Sequence, residues 1–436
     1  MKRFFLFFAL GAAALAGCTK TVTLDPVAKP DWFTNAAYFE EKNSMYVEMP
    51  VYPTNIVLVG DDYIDRGLWN EFYADTAVKN RGITYDATAH VLYRIDGIAA
   101  GKPAKILVSA GYNDIVNDVP QDTALANLDA IFYRIHKLSP DTQCYWINIA
   151  CGSSLNPEHT AAATTLNEAM AARADKGGFE VVDIRTALKD GLDDGTFSWN
   201  GGLLLNGAGY EAMAKALEPA VGKKALNHAD DKPGKKEISD YYRHRVSMFQ
   251  SLPETDSLIV MLGNSLTNNA PWAELFPMGY VINRGISGDT VEGIMQRLDE
   301  VAADHPAKIF LQTGANDLVA DKNLSAVKLW ARYEKLIQAI HKEMPETHLY
   351  VQSMLPVNPK SKFYEGYNER VVEMNKLLQA GGERHNYAFV DIASRLTDDN
   401  GDLRDDCTID GMHLNADGYF LWAVELAKGP RMMIDF

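Results

Sequence analysis

Short apolar runs alternate with longer amphipathic stretches through the second half of the chain. Residues 258–262, 308–312, 349–352 and 388–391 are apolar segments of strand length. Between the second and third, Val327, Trp330, Tyr333, Leu336, Ile337 and Ile340 recur at three- and four-residue spacing. That spacing predicts a helix with one apolar face. Strand–helix alternation with few hairpin signals predicts an α/β fold, a central parallel sheet wrapped by helices. Such sheets place their sites at the carboxyl ends of strands. Ser265 follows the first apolar run and Asn316 the second, so the two are predicted to meet at one rim.

The same pattern occurs twice. Around Ser265 the chain reads Ile-Val-Met-Leu-Gly-Asn-Ser-Leu-Thr, followed by Trp272, Glu274, Asn283-Arg284-Gly285-Ile286, Arg297 and Gly314-Ala315-Asn316-Asp317. At a constant offset of 203 residues the first half answers with Ile56, Val57, Gly60, Trp69, Glu71, Asn80-Arg81-Gly82-Ile83, Arg94 and Gly111-Tyr112-Asn113-Asp114. Near the end, Leu414-Asn415 and Gly418-Tyr419 match Leu205-Asn206 and Gly209-Tyr210 at an offset of 209. The chain is a tandem duplication. Its length of 436 residues suits two cores. The expected boundaries are a first unit over 46–222, a charged Gly/Pro linker over 223–237, and a second unit over 238–436 that opens with a helix bearing Tyr241, Tyr242, Val246 and Phe249.

A net charge of −16 argues against nucleic acid and anionic membrane surfaces as partners. The N-terminus is expected to be a targeting segment over 1–17. Lys2-Arg3 is basic, residues 4–15 are apolar, and Leu15-Ala16-Gly17-Cys18 closes it. It resembles the lipobox of bacterial lipoproteins, which implies cleavage before Cys18, lipid on its sulfur, and a membrane-anchored protein of the periplasm or cell surface. Residues 18–45 then form a tether. Cys144, Cys151 and Cys407 are expected to be unpaired and non-catalytic, with no His neighbour and no metal-ligand spacing.

Gly263-Asn264-Ser265, Gly288, Gly314-Ala315-Asn316-Asp317 and Asp410-Gly411-Met412-His413, in this order, resemble the SGNH, or GDSL-type, ester hydrolases. The branch they look most like is that of platelet-activating-factor acetylhydrolase subunits and carbohydrate O-acetylesterases. The resemblance implies a three-layer α/β/α, flavodoxin-like fold in each unit and acyl-enzyme chemistry without metal or organic cofactor. Ester cleavage needs a nucleophile, its base and donors for the oxyanion. Ser265 fits the nucleophile, His413 the base, and Asp410 the group that holds the imidazole. The backbone N–H groups of Ser265 and Gly288 and the Asn316 amide fit the oxyanion hole. The implied substrate is a small acyl ester, an O-acetylated glycan. The alternatives are a phospholipid or lysophospholipid, and a glycan-binding lipoprotein without activity. Asn264 departs from the family's usual Asp.

In the first unit the key positions read Asp62, Tyr85, Gly201 and Leu204, and only Asn113 survives. That unit is expected to be catalytically dead. Three uses for it compete: glycan binding through Trp146, Trp199 and Tyr85, a pseudo-dimer with the second unit, or a spacer. Duplicated copies often inherit a homodimer interface, which favours the pseudo-dimer. Residues that both units share, such as Trp69 and Trp272, are expected to hold loops rather than to catalyse.

Overall fold

The computed structural model describes residues 24–151, 157–198, 204–226, 239–253, 258–277 and 280–428. The expected targeting segment, Cys18, most of the linker, Trp199 and Gly201 lie outside them. Among the described residues no helix is long and apolar enough to cross a membrane.

The chain builds two five-stranded parallel sheets. The first contains β1 (Ile56–Gly60), β2 (Val78–Gly82), β3 (Lys105–Ser109), β4 (Gln143–Ile147) and β5 (Glu180–Val182), in the order β2-β1-β3-β4-β5. The second contains β6 (Ile259–Gly263), β7 (Val281–Gly285), β8 (Lys308–Gln312), β9 (His348–Gln352) and β10 (Ala388–Val390), in the equivalent order. This is the doubly wound arrangement expected for the family. Along β6, Ile259 and Met261 enter one core while Val260 and Leu262 enter another. Alternate side chains leave a strand on opposite faces, and both faces are covered by helices. That is why the run is apolar throughout. The predicted amphipathic helix is Ala326–Glu343, with Trp330, Tyr333, Leu336, Ile337 and Ile340 buried; Val327 is exposed.

β7 was not expected as a strand, because Val281-Ile-Asn-Arg-Gly285 carries two polar residues. It is an edge strand, and both polar side chains are buried with partners. The Asn283 amide donates to the carbonyls of Thr267, Asn268 and Ala270. Asn80 on β2 does the same to Ile64, Asp65 and Gly67.

The expected boundaries need correction at both leading helices. Helix Ala36–Glu48 begins inside the expected tether. Its Met45 lies in the second unit's core with Trp272, Leu414 and Tyr419. Conversely, helix Asp240–Ser251, assigned to the second unit, buries Tyr242, Val246, Met248 and Phe249 in the first unit's core. Each such apolar side chain contributes ~1.5–3 kcal/mol on burial. The exchange is symmetric. Ser44 Oγ accepts from Ala416 N at 3.1 Å, and Ser247 Oγ accepts from Gly207 N at 2.9 Å. Ion pairs repeat the pattern. Arg81 of β2 meets Glu274 at 2.7 Å, and Arg284 of β7 meets Glu71 at 2.8 Å.

Candidate active site

Ser265 opens the short helix Ser265–Asn269, two residues past β6. Gly263 permits this sharp exit, because a Cβ there would meet the Gln312 carbonyl of β8 at 2.3 Å. Asn264 is buried, and its side-chain oxygen accepts from Leu266 N.

Asp410 and His413 sit in a loop closed by a bridge between Thr408 and Leu414. Asp410 Oδ1 accepts from the backbone N–H groups of Met412 and His413, both at 2.8 Å. Its Oδ2 accepts from His413 Nδ1 at 2.7 Å. That leaves Nε2 as an acceptor, and it lies 3.0 Å from Ser265 Oγ. The structure therefore joins the three expected catalytic residues in one hydrogen-bonded chain. Burial alone would raise the Asp410 pKa, but the His413 hydrogen bond and charge outweigh it and hold the carboxyl at about 2. For His413, burial opposes the cation, and Asp410 more than compensates, so its pKa is raised.

Gly288 follows β7 with φ +85, and a Cβ there would meet nothing within 4 Å. The glycine is suited to a left-handed backbone facing open space. Asn316 follows β8, and its Nδ2 donates to Asp289 O at 2.8 Å. Asp289 itself is buried against Arg297 at 2.9 Å.

The first repeat shows what this arrangement can hold. Asp62 stands where Ser265 stands. Its Oδ2 accepts from Tyr85 N and from Asn113 Nδ2, each at 3.0 Å. These donors are the equivalents of Gly288 N and Asn316 Nδ2. Asn113 also donates to Asp86 O, as Asn316 does to Asp289 O. Two of the three expected donors have counterparts in the first copy, and one carboxylate oxygen accepts from both.

Residues shared by both repeats hold the frame, as expected. Trp69 and Trp272 donate to Ile64 O and Thr267 O, each at 2.8 Å. Arg94 and Arg297 reach the carbonyls of Gly60 and Gly263. Asp114 and Asp317 accept from Thr88 N and Val291 N. Trp146 does not serve as a stacking surface: it lies on β4 and is fully buried in the first unit's core. Tyr85 is 41% exposed. Cys144, Cys151 and Cys407 are free.

One cavity of about 970 Å³ is lined from both repeats, including Ser265, Gly288 and His413 together with Asp62 and Tyr85. Its size lies in the range of small-molecule sites. Glu41, expected in the tether, also lines it. The repeat offered one signal that a helix begins there. Tyr38, Ser44 and Met45 match Tyr241, Ser247 and Met248 at the same offset. Glu41, Asp410 and His413 have cation-ligand spacing, but both His413 nitrogens already have hydrogen-bond partners.

A doubly wound sheet with a Ser–His–Asp chain at its rim defines a serine-hydrolase-like class. The chain matches the GDSL-like Lipase/Acylhydrolase family over residues 59–212 and 256–421, one match per repeat. It belongs to that family and is an ester hydrolase. Platelet-activating factor acetylhydrolase IB subunit alpha1 of Bos taurus is 24% identical over 167 residues, which span 37% of this chain and 69% of that protein. The lipase/acylhydrolase from Enterococcus faecalis is 24% identical, with a TM-score of 0.36 over 41% of this chain and 97% of its own. A carbohydrate acetylesterase family member from Sinorhizobium meliloti is 18% identical, with a TM-score of 0.34 over 41% and 98%.

Proposed function

We propose that the second repeat removes small acyl groups, acetyl above all, from carbohydrate hydroxyls through an acyl-enzyme on Ser265. The observation that carries the chemistry is the chain Ser265 Oγ, His413 Nε2, His413 Nδ1, Asp410 Oδ2, with links of 3.0 and 2.7 Å. His413 takes the serine proton as Oγ attacks the ester carbonyl. The oxyanion accepts hydrogen bonds from Ser265 N–H, Gly288 N–H and the Asn316 amide. His413 then protonates the departing alcohol, and water repeats the sequence to release the acid. The filled donor set of the first repeat supports this role for Gly288 and Asn316.

The acyl group is inferred from relatives named acetylhydrolases. For the alcohol, the cavity is lined by amides and phenols, among them Asn117, Asn269, Tyr85 and Tyr112. Such groups suit hydroxyls better than an alkyl chain. Acetate release from O-acetylated sialic acid, acetylated xylan and short-chain lipid esters tests the substrate, with Ser265→Ala as control. Release from the lipid esters alone would reject the carbohydrate reading.

The first repeat is a pseudo-dimer partner in this reading. The reciprocal pairs Arg81–Glu274 and Arg284–Glu71 and the exchanged helices support it, since a two-fold interface sets each patch against its own equivalent. For the N-terminus we infer lipidation at Cys18 from the Leu-Ala-Gly-Cys stretch. Incorporation of labelled fatty acid that survived Cys18→Ala would reject it.

A further inference from the structure

Helix Ala36–Glu48 is part of the first repeat in sequence, yet Glu41 ends beside the Asp410–His413 pair of the second. Oxygens of Glu41 and Asp410 and a ring nitrogen of His413 lie within 4.8 Å of one another. Glu41 is only 3% exposed, and its Oε1 has no hydrogen-bond partner. An unsatisfied buried oxygen is costly, and a helix face built for packing alone would carry an apolar side chain. The frame does not require this carboxyl. The equivalent residue in the other leading helix is His244, whose Nδ1 lies within hydrogen-bond distance of its own helix at Asp240 O. The rest of the helix holds Glu41 in place. Ser44 binds Ala416 N, and Met45 packs in one core with Leu414 and Tyr419.

We propose that Glu41 is a positioning residue for His413 and Asp410, supplied by one repeat to the other. The second repeat's site is then complete only with the first repeat's leading helix docked. This rests on the reading of Ser265, His413 and Asp410 given above. Burial pushes the Glu41 pKa up to about 8, so the carboxyl is neutral beside Asp410 at neutral pH. As His413 gains charge, the ionised form of Glu41 is favoured, and the two groups titrate as a coupled pair. The groups facing Glu41 are Asp410 and His413 on the loop and Tyr419 on helix Ala416–Leu426, whose pKa burial raises first and Glu41 raises further. On its own helix, Lys42 is paired with Asp65 at 3.1 Å.

The test uses the full chain, p-nitrophenyl acetate as substrate, and the variants Glu41→Gln, Glu41→Ala and Glu41→Asp. In Glu41→Ala kcat falls by roughly 10- to 100-fold with KM changed by less than about twofold, the signature of a displaced catalytic group. In Glu41→Gln the acid limb of the rate profile moves to lower pH, because the amide cannot ionise as His413 gains its proton and so cannot support the cation. Glu41→Asp recovers part of the loss. A Glu41→Gln enzyme with wild-type kcat and wild-type midpoint overturns the proposal. So does a loss that tracks the folded fraction with an unmoved midpoint, which would make Glu41 structural only. A wild-type chain that neither hydrolyses the probe nor labels at Ser265 with a fluorophosphonate overturns the underlying reading and this proposal with it. A wild type that labels, with Glu41 variants indistinguishable from it, overturns this proposal alone.

Discussion

In the first repeat the Tyr85 N–H and the Asn113 amide donate to a carboxylate of the protein itself, Asp62. In the second, the equivalent Gly288 and Asn316 line one cavity with Ser265, whose hydroxyl is 3.0 Å from His413. The sheets, the buried Arg–Asp pairs and the Trp–carbonyl bonds are alike in both. The duplication has therefore separated two requirements that coincide in a single-copy enzyme. One set of residues builds the rim, and a few side chains decide whether that rim does chemistry. The first copy lost the serine and the histidine while it kept the donors, and its own carboxylate occupies them.

The largest break between the copies is at the nucleophile. Ser265→Ala is expected to reduce kcat/KM for p-nitrophenyl acetate by roughly 10⁴- to 10⁶-fold. Asp62→Ala should leave it unchanged, and Asp62→Ser should add nothing, because the histidine position is Leu204. Residual activity in Ser265→Ala that disappears with Asp62 would mean that the first copy is alive.

The interface should break symmetrically. Arg284 is buried between Glu71 and Asp304, and Arg81 is buried against Glu274. Removing one member of a buried pair leaves a charge uncompensated, at a cost of about 3–5 kcal/mol. Arg284→Met and Arg81→Met should each lower the unfolding free energy by up to an amount of that order, the Arg81 loss being the smaller because Lys79 stays 3.5 Å from Glu274. A large loss for one and none for the other would reject the pseudo-two-fold reading.

At the oxyanion donors the copies should part again. Asn316→Ala is expected to lose about 10²- to 10³-fold in kcat, equivalent to ~2.7–4 kcal/mol. Asn113→Ala should keep wild-type kcat, since its amide serves Asp62. Equal effects would show that Asn316 acts through the frame, by its bond to Asp289 O, rather than on the substrate.

The pH profile sharpens the contrast, because the second copy has His413 where the first has Leu204. His413 must be neutral to accept the serine proton, and its pKa is raised above the ordinary 6.5. The acid limb of kcat/KM should have its midpoint above that value, with about a tenfold loss per pH unit below it. The same pair sets a stability window. The His413 contribution is present below 6.5 and lost as pH rises through its raised folded value. The Asp410 contribution is present above 3.8 and lost as pH falls toward about 2. A flat rate between pH 5 and 8 would reject His413 as the base.

Much of this site was legible in the sequence because it lies where strands end. Ser265 and Asn316 follow apolar runs, and Asp410 and His413 are close in sequence. What was not legible depended on tertiary partners. β7 falls outside the apolar runs, and it joins the sheet with Arg284 held by Glu71 and Asp304 and Asn283 bound to three carbonyls. Helix Ala36–Glu48 reads as tether because its apolar face is weakly periodic and the partners that dock it on the second unit lie more than 200 residues away, as with Ser44 and Ala416. Asp62 reads as a lost nucleophile, and only the fold shows its carboxylate in the donor set.

The smallest expected effect tests whether the two rims are equivalent in backbone as well as in partners. Gly288 has φ +85 and Tyr85 has φ +71. A left-handed backbone costs a residue with a Cβ about 1–2 kcal/mol. No neighbour lies within 4 Å of a Cβ built at Gly288, so Gly288→Ala should destabilise by about 1 kcal/mol through conformation alone. Tyr85→Gly should relieve that strain. The gain is partly offset by the freer unfolded chain, which leaves a net change of less than about 1 kcal/mol in the stabilising direction. Opposite signs in chemical unfolding would confirm one backbone geometry in two sequence contexts. Activity separates the variants further. The Cβ of Gly288→Ala projects into the cavity beside the proposed donor N–H and should lower kcat/KM. Tyr85→Gly opens the rim of the copy that lacks the serine and the histidine and should leave hydrolysis of p-nitrophenyl acetate intact. A loss of kcat in Tyr85→Gly at full stability would instead bring the first copy's tyrosine into the working site.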